Sequence, residues 1–265
     1  MRTRLSHSLP YAGGEGLSTP KTYPAPMDIR LLAAGCVLSL VVAATANALR
    51  LLTLGGAAAA VAVGTLVFGF GGSRHAGLLV LFFATSSALT RWQAQRKPHP
   101  EHIKGRNGGQ VLANGTVAAL LAVWAGVSPT PWVHAAFAGA IAASTADTWA
   151  TEVGLLSKAP PRLITARVLR TRAEVPPGTS GGVTWLGTIA ACVGAAVIAG
   201  FSMVWLGTQP GAIWLAGLMG MTVDSILGAT LEGRVRGLTN DAVNLLATLS
   251  GAVVAVVSAG SAGSL

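Results

Sequence analysis

Long apolar runs constrain this chain more than any other feature. Eight stretches rich in Ala, Gly, Leu and Val, at roughly 29–48, 52–70, 75–90, 110–127, 132–151, 183–205, 211–231 and 241–259, approach the ~20 residues that a membrane-spanning helix needs. Charged residues make up only 10% of the 265 and sit mostly between the runs. No polar stretch is long enough to bury a core of its own. The expected fold is therefore all-α, a polytopic transmembrane helical bundle of seven or eight spans. The second and third runs are short and Gly-rich, which leaves tilt or re-entry open. Residues 1–27 lack an apolar h-region and read as a disordered tail, with Met27 a candidate start; residues 28–265 read as one transmembrane helical domain.

The net charge of +9 would suggest nucleic acid in a soluble protein. Here the cations follow topology instead. Arg91, Arg96, Lys97, Lys104 and Arg106 fall in one connection, and Lys158, Arg162, Arg167, Arg170 and Arg172 in another. Arg234 and Arg236 fall in a third, while the loops near 128–131 and 208–211 carry none. The cationic connections are expected at the cytoplasmic face of a cell or inner membrane, and no nucleic-acid partner is expected. Arg2, Arg4, Lys21 and Arg30 fit an outside N-terminus poorly, so seven spans stay open beside the preferred eight. Cys36 and Cys192 lie inside apolar runs and suggest neither a disulfide nor a metal cluster. His75, His99, His102 and His134 lack ligand spacing.

Five of the nine acidic residues lie in or beside apolar runs: Asp147, Glu152, Asp224, Glu232 and Asp241. A charge at a bilayer centre costs at least ~2.5 kcal/mol, so each needs a partner, water or a task. With the predicted orientation, the polar motifs gather at the cytoplasmic helix ends. Asn114 opens the fourth run, Asp147 to Glu152 closes the fifth, and Gly178-Thr179-Ser180-Gly181-Gly182 opens the sixth. Asp224 and Glu232 close the seventh, and Asp241 and Asn244 open the eighth. Asp147 and Glu152 lie about 140° apart on an ideal helix, so both face one ligand only if the helix ends there. Carboxylates with amide oxygens suit Mg²⁺, and a glycine-rich segment at a helix start suits phosphate. Flanking cations complete a set of parts for phosphoryl transfer. The plainer alternative pairs the acids with loop arginines at hydrated helix ends and leaves the glycines as a turn.

The ordered motifs Phe82–Thr90, Gln110–Gly115, Ala146–Gly154, Gly178–Thr184, Asp224–Thr230 and Asn240–Asn244 resemble the transmembrane protein 19 family over about residues 50–250. That family includes a plant chloroplast phytyl-phosphate kinase of tocopherol and phylloquinone synthesis. The resemblance implies a membrane-embedded kinase of phytyl or prenyl monophosphates. Mg²⁺ would be its cofactor and a nucleoside triphosphate, CTP or ATP, its co-substrate. The chain departs from the family at Glu232, where members usually carry Gln, and in the short segment Gly233–Thr239 before the last motif.

The expected metal ligands are Asp147 and Asp224, with Glu152 and Asp241 as auxiliaries, and Asn114 and Asn244 position phosphate oxygens. Gly178, Thr179, Ser180, Gly181 and Gly182, with Arg91, Lys97 and Arg167, are the expected phosphate- and nucleotide-binding residues. The expected partners are an isoprenoid phosphate lipid and the bilayer, and a homodimer is compatible with the sequence. The rival reading is an ion-coupled secondary transporter or lipid flippase of isoprenoid phosphates. That reading puts acids at the midplane between repeats, whereas here they cluster towards one face and no internal repeat is visible.

Overall fold

The structure, a computed structural model, describes residues 29–97, 105–166 and 173–262. The expected N-terminal tail, Arg167, His99, His102 and Lys104 lie outside the described residues. Seven helices dominate: α1 Ile29–Ala48, α2 Leu54–Arg91, α3 Gly108–Val127, α4 Pro131–Gly154, α5 Trp185–Leu206, α6 Pro210–Thr230 and α7 Asn240–Ala262. A two-residue antiparallel pair, β1 Arg162–Leu163 and β2 Gly182–Val183, ties the long connection between α4 and α5 to itself.

Local chemistry sets most helix ends. Asn107 and Gln110 form a reciprocal capping box at the start of α3, and Thr53 and Thr184 cap α2 and α5 through their hydroxyls. Pro131 and Pro210 occupy the first turns of α4 and α6, where a missing N–H costs nothing. Gly207, at φ 69°, closes α5 in the left-handed conformation.

Helix α2 is two antiparallel arms rather than one rod. Gly72 breaks it with φ 71° and ψ −171°, a region open almost only to glycine. His75 secures the break by bonding Gly71 O through Nδ1 at 2.6 Å. Packing shows the reversal. In the first arm Gly55, Val63 and Phe70 meet Gly108, Gly115 and Gly126, parallel to α3. In the second arm His75 meets His134 and Thr90 meets Glu152, parallel to α4, which itself runs back against α3. Each arm is about 27–28 Å long, close to the ~30 Å hydrocarbon core. Runs two and three of the sequence thus become two passes joined by a tight bend.

Six helices, α1, α2, α3, α5, α6 and α7, are long and apolar enough to cross a membrane. With α2 folded back and α4 running between neighbours through the core, the described residues form eight helical segments that alternate in direction. All connections with Lys or Arg clusters then share one face. The Gly72 bend, residues 128–130 and residues 207–209 share the opposite face, where Arg74 and the pair of buried His75 with half-buried His134 also lie. Leu120, Val193, Val204 and Val253 point outward from the bundle, as lipid contact requires.

Helix α4 is the axis, with Phe137, Ile141 and Thr145 wholly buried. Its neighbours approach through small residues. A Cβ on Gly220 would lie 2.4 Å from Ala143 Cβ, one on Gly217 2.7 Å from Ala195 Cβ, and one on Gly139 2.5 Å from Gly251 O. Such contacts are the usual glue between helices in lipid, where hydrophobic burial drives little. They also fix register: Ala142 faces Gly217 and Ala143 faces Gly220, so Asp147 of α4 comes level with Asp224 of α6.

Candidate functional site

Asp147 and Asp224 sit about 9–10 Å inside the cationic ends of their helices. Both line a cavity of about 360 Å³ between α4, α5, α6 and the glycine-rich segment. That segment forms the facing wall, with Gly178, Thr179, Ser180, Gly181 and Gly182 all lining it. Its position depends on close approach to α6. Gly181 has φ 76°, and a Cβ there would lie 2.4 Å from Ala229 Cβ and 2.5 Å from Ser225 O. Gly228 opposite is close as well, since a Cβ there would meet Gly181 N at 3.1 Å. The first turn of α5, with Gly187 and Thr188, lines the same space and turns the positive end of a helix towards it.

A second polar cavity of about 470 Å³ lies on the other side of Asp147. Arg106, Asn107, Gln110 and Asn114 line it from the start of α3, Thr148 and Glu152 from α4, and Asn240 and Asn244 from α7. Asp147, Thr151 and Asn240 belong to both cavities and form the partition between them. The arrangement is two chambers with a carboxylate at their junction.

The four acids expected to share one ion do not converge. No group of three or more His, Cys, Asp or Glu side chains suited to a metal occurs among the described residues. Glu152 is committed elsewhere: Lys97 Nζ lies 2.8 Å from Oε2 and Thr90 Oγ1 donates to Oε1 at 2.6 Å. Helix α4 continues past Glu152 to Gly154, so the unwinding that would turn both acids to one ligand is absent. Asp241 lies against the start of α3, where a Cβ on Gly109 would sit 2.1 Å from Oδ2, and it lines neither chamber. Its negative charge there meets the positive end of α3.

Asp147 and Asp224 remain, with Glu232 in Coulombic range of Asp224 and lining the first chamber. Asp224 Oδ2 is buried and has no hydrogen-bond partner among the described residues. An open carboxylate oxygen beside a second carboxylate fits a hard cation such as Mg²⁺, which takes one or two carboxylates and fills its remaining positions with water and phosphate oxygens.

The cations also differ from expectation. Lys97 is buried and spends its three N–H groups on Glu152, Leu89 O and Thr90 O, so it ties the arm end of α2 to α4 rather than facing a ligand. Arg91 donates to Leu49 O, outside both chambers. The amides of Asn114 and Asn244 face the second chamber, with Asn114 Nδ2 bonded to Gln110 O and Asn244 Nδ2 to Asn240 O.

A family profile described as Integral membrane protein DUF92 matches residues 37–252. The chain belongs to the DUF92 family of integral membrane proteins. It is 33% identical over 198 residues to an uncharacterized membrane protein, MJ0933, of Methanocaldococcus jannaschii, covering 74% of this chain and 80% of that one. It is 36% identical over 195 residues to Protein PGR of Arabidopsis thaliana, covering 61% and 65%. It is 28% identical over 225 residues to the chloroplastic Protein VTE6 of the same plant, covering 78% and 65%. The match thus spans about two thirds of each plant protein. No solved structure matches.

The DUF92 match takes in every residue of both chambers. One of them, Arg106, is visible in sequence only as a loop cation. The fold gives it a distinct setting. Its backbone is clamped to the turn after α1, with Arg106 N on Leu51 O at 2.9 Å and Thr53 N on Arg106 O at 3.1 Å. Gly56 admits that carbonyl, since a Cβ there would lie 2.1 Å away. The guanidinium stacks over Phe82 and Phe83, with 5.4 and 5.9 Å to the ring centroids. Burial lowers its proton affinity below the ordinary arginine value, and the Glu152 charge acts the other way; arginine stays cationic under either influence. The sequence signature is Gly105-Arg106 directly before the capping-box residue Asn107, in a run otherwise read for topology alone.

Proposed function

We propose that this DUF92 protein is a Mg²⁺-dependent kinase of isoprenoid monophosphates, phytyl or prenyl, with its site at the cytoplasmic face. The observation that carries the reading is the pair of level carboxylates, Asp147 and Asp224, both lining a glycine-walled cavity, with Asp224 Oδ2 buried and without a hydrogen-bond partner among the described residues. The similarity to VTE6 and the family's phytyl-phosphate kinase support the choice of substrate.

The first chamber suits the phosphates of a nucleoside triphosphate, CTP or ATP, held by the backbone N–H groups of Gly178, Ser180 and Gly181 and the start of α5, while those of Thr179 and Gly182 donate to Pro176 O and Thr179 O and shape the loop. The second suits the acceptor, with Arg106 pairing with its phosphate and Asn114 and Asn244 orienting phosphate oxygens. An oxygen of the acceptor monophosphate attacks the terminal phosphorus across the Asp147 partition. The bond from that phosphorus to the bridging oxygen breaks, and the nucleoside diphosphate leaves with the electron pair. The nucleophile is already ionised, so no general base is needed. Asp147 and Asp224 would hold Mg²⁺, which neutralises charge developing on the phosphoryl group. Among the described residues the acids lie towards one end of the bundle, favouring this reading over ion-coupled transport, which needs them near the midplane.

The test is purified protein with phytyl or geranylgeranyl monophosphate, Mg²⁺ and CTP or ATP. Formation of the isoprenoid diphosphate is expected with at least one pair. No diphosphate from any pair would sink the kinase.

A further inference from the structure

An apolar cleft opens beside the second chamber and is absent from the phosphoryl-transfer scheme above. Leu38 and Val42 of α1, Ala60 and Val63 of the first α2 arm, and Leu79 and Phe83 of the second line its length. Its volume is about 100 Å³, smaller than either polar chamber, and its lining is almost wholly apolar. It does not end blindly: Arg106, Gln110 and Asn114 line both the cleft and the second chamber. The passage from oil to water is therefore marked by one cation and two amides.

Arg106 is built for that boundary. One face of its guanidinium rests on Phe82 and Phe83, which also line the cleft. Among the described residues its side chain donates no hydrogen bond. A cation at the mouth of an apolar slot complements one ligand chemistry above others, a single hydrocarbon chain ending in an anionic group.

We infer that the cleft between α1, the two arms of α2 and α3 holds the hydrocarbon tail of the lipid substrate, with Arg106 fixing its phosphate at the chamber mouth. This rests on reading the substrate as an isoprenoid monophosphate. It also gives α1 and the first α2 arm a task, since neither contributes a carboxylate to the site. The tail enters sideways from the bilayer, while the nucleotide reaches the other chamber from water. The two substrates meet only at the Asp147 partition.

The test uses the full-length protein in bilayer discs and geranylgeranyl monophosphate bearing a diazirine at its tail end, with photolabelled peptides mapped by mass spectrometry. Label is expected in peptides from α1, the α2 arms and α3. Ala60→Trp should cut it several-fold by filling the slot, and Val80→Trp at the outer edge should do the same if the first variant does not fold. Arg106→Gln should weaken labelling by the monophosphate roughly tenfold, the loss of one charged hydrogen-bond pair, and leave labelling by the matching alcohol unchanged. Label confined to α5 or α6, or unchanged in all three variants, overturns the assignment. Label in the cleft without diphosphate from any nucleotide overturns the kinase and leaves the cleft standing. Diphosphate formed with label elsewhere does the reverse.

Discussion

Single residues divide the acids of this chain into two kinds. Asp224 keeps a buried oxygen without a hydrogen-bond partner among the described residues, an arrangement that costs stability and persists where a ligand repays it. Asp224→Asn should therefore melt at or above the parent temperature in metal-free buffer, yet lose activity by on the order of 10²–10³-fold; Asp147→Asn should lose a similar factor. Differential scanning fluorimetry beside a product assay reads both quantities. Glu152 is of the other kind. Lys97→Ala would strand it in a buried setting and should cost about 3–5 kcal/mol, and adding Glu152→Leu to Lys97→Met should restore most of that. Thermal unfolding in detergent checks the pair. Asp147 and Asp224 were legible from sequence because a carboxylate inside an apolar run is conspicuous by itself. The bond between Lys97 and Glu152 was not, because it joins residues 55 apart that meet only once α2 folds back. Arg106 is hidden in the sequence for the related reason that a loop arginine already has a sufficient explanation in membrane topology.

At the scale of elements, the sequence located helices far better than it located turns. Hydropathy placed all eight passes within a few residues, and caps such as Asn107 and Thr184 fall where their side chains predict. The Gly71-Gly72 interval was readable as a gap between runs. Its geometry was not, because the reversal depends on φ at one glycine and on His75 reaching back to Gly71 O. Gly72 has nothing within 4 Å of where a Cβ would lie, so space is no obstacle to a larger residue. The backbone conformation is. Gly72→Ala should destabilise the protein by about 1–3 kcal/mol through strain alone, while Gly200→Ala, also in open space but within α5, should be neutral or slightly stabilising. Urea or thermal unfolding of the two variants side by side tests the difference.

The whole molecule is polarised. One face carries the cationic connections, both chambers and every described candidate ligand, and the other carries short turns. Positive connections favour the cytoplasm. In a background lacking Cys36 and Cys192, Gly237→Cys should resist a membrane-impermeant maleimide added outside intact cells, and Ser128→Cys should react. The opposite pattern would turn the site outward. The register among α4, α6 and α7 has a mechanical consequence. At Gly139, Gly217, Gly220 and Gly251 the helices touch with no side chain to act as a bearing. Sliding one past another by a residue would drive a methyl group into a neighbouring backbone, so these three helices move as a welded unit. The rim is joined in the same way, since a Cβ on Gly69 of the first α2 arm would lie 2.4 Å from Leu32 of α1 and one on Gly56 2.1 Å from Arg106 O, so no helix of this bundle slides on its neighbour without a steric penalty.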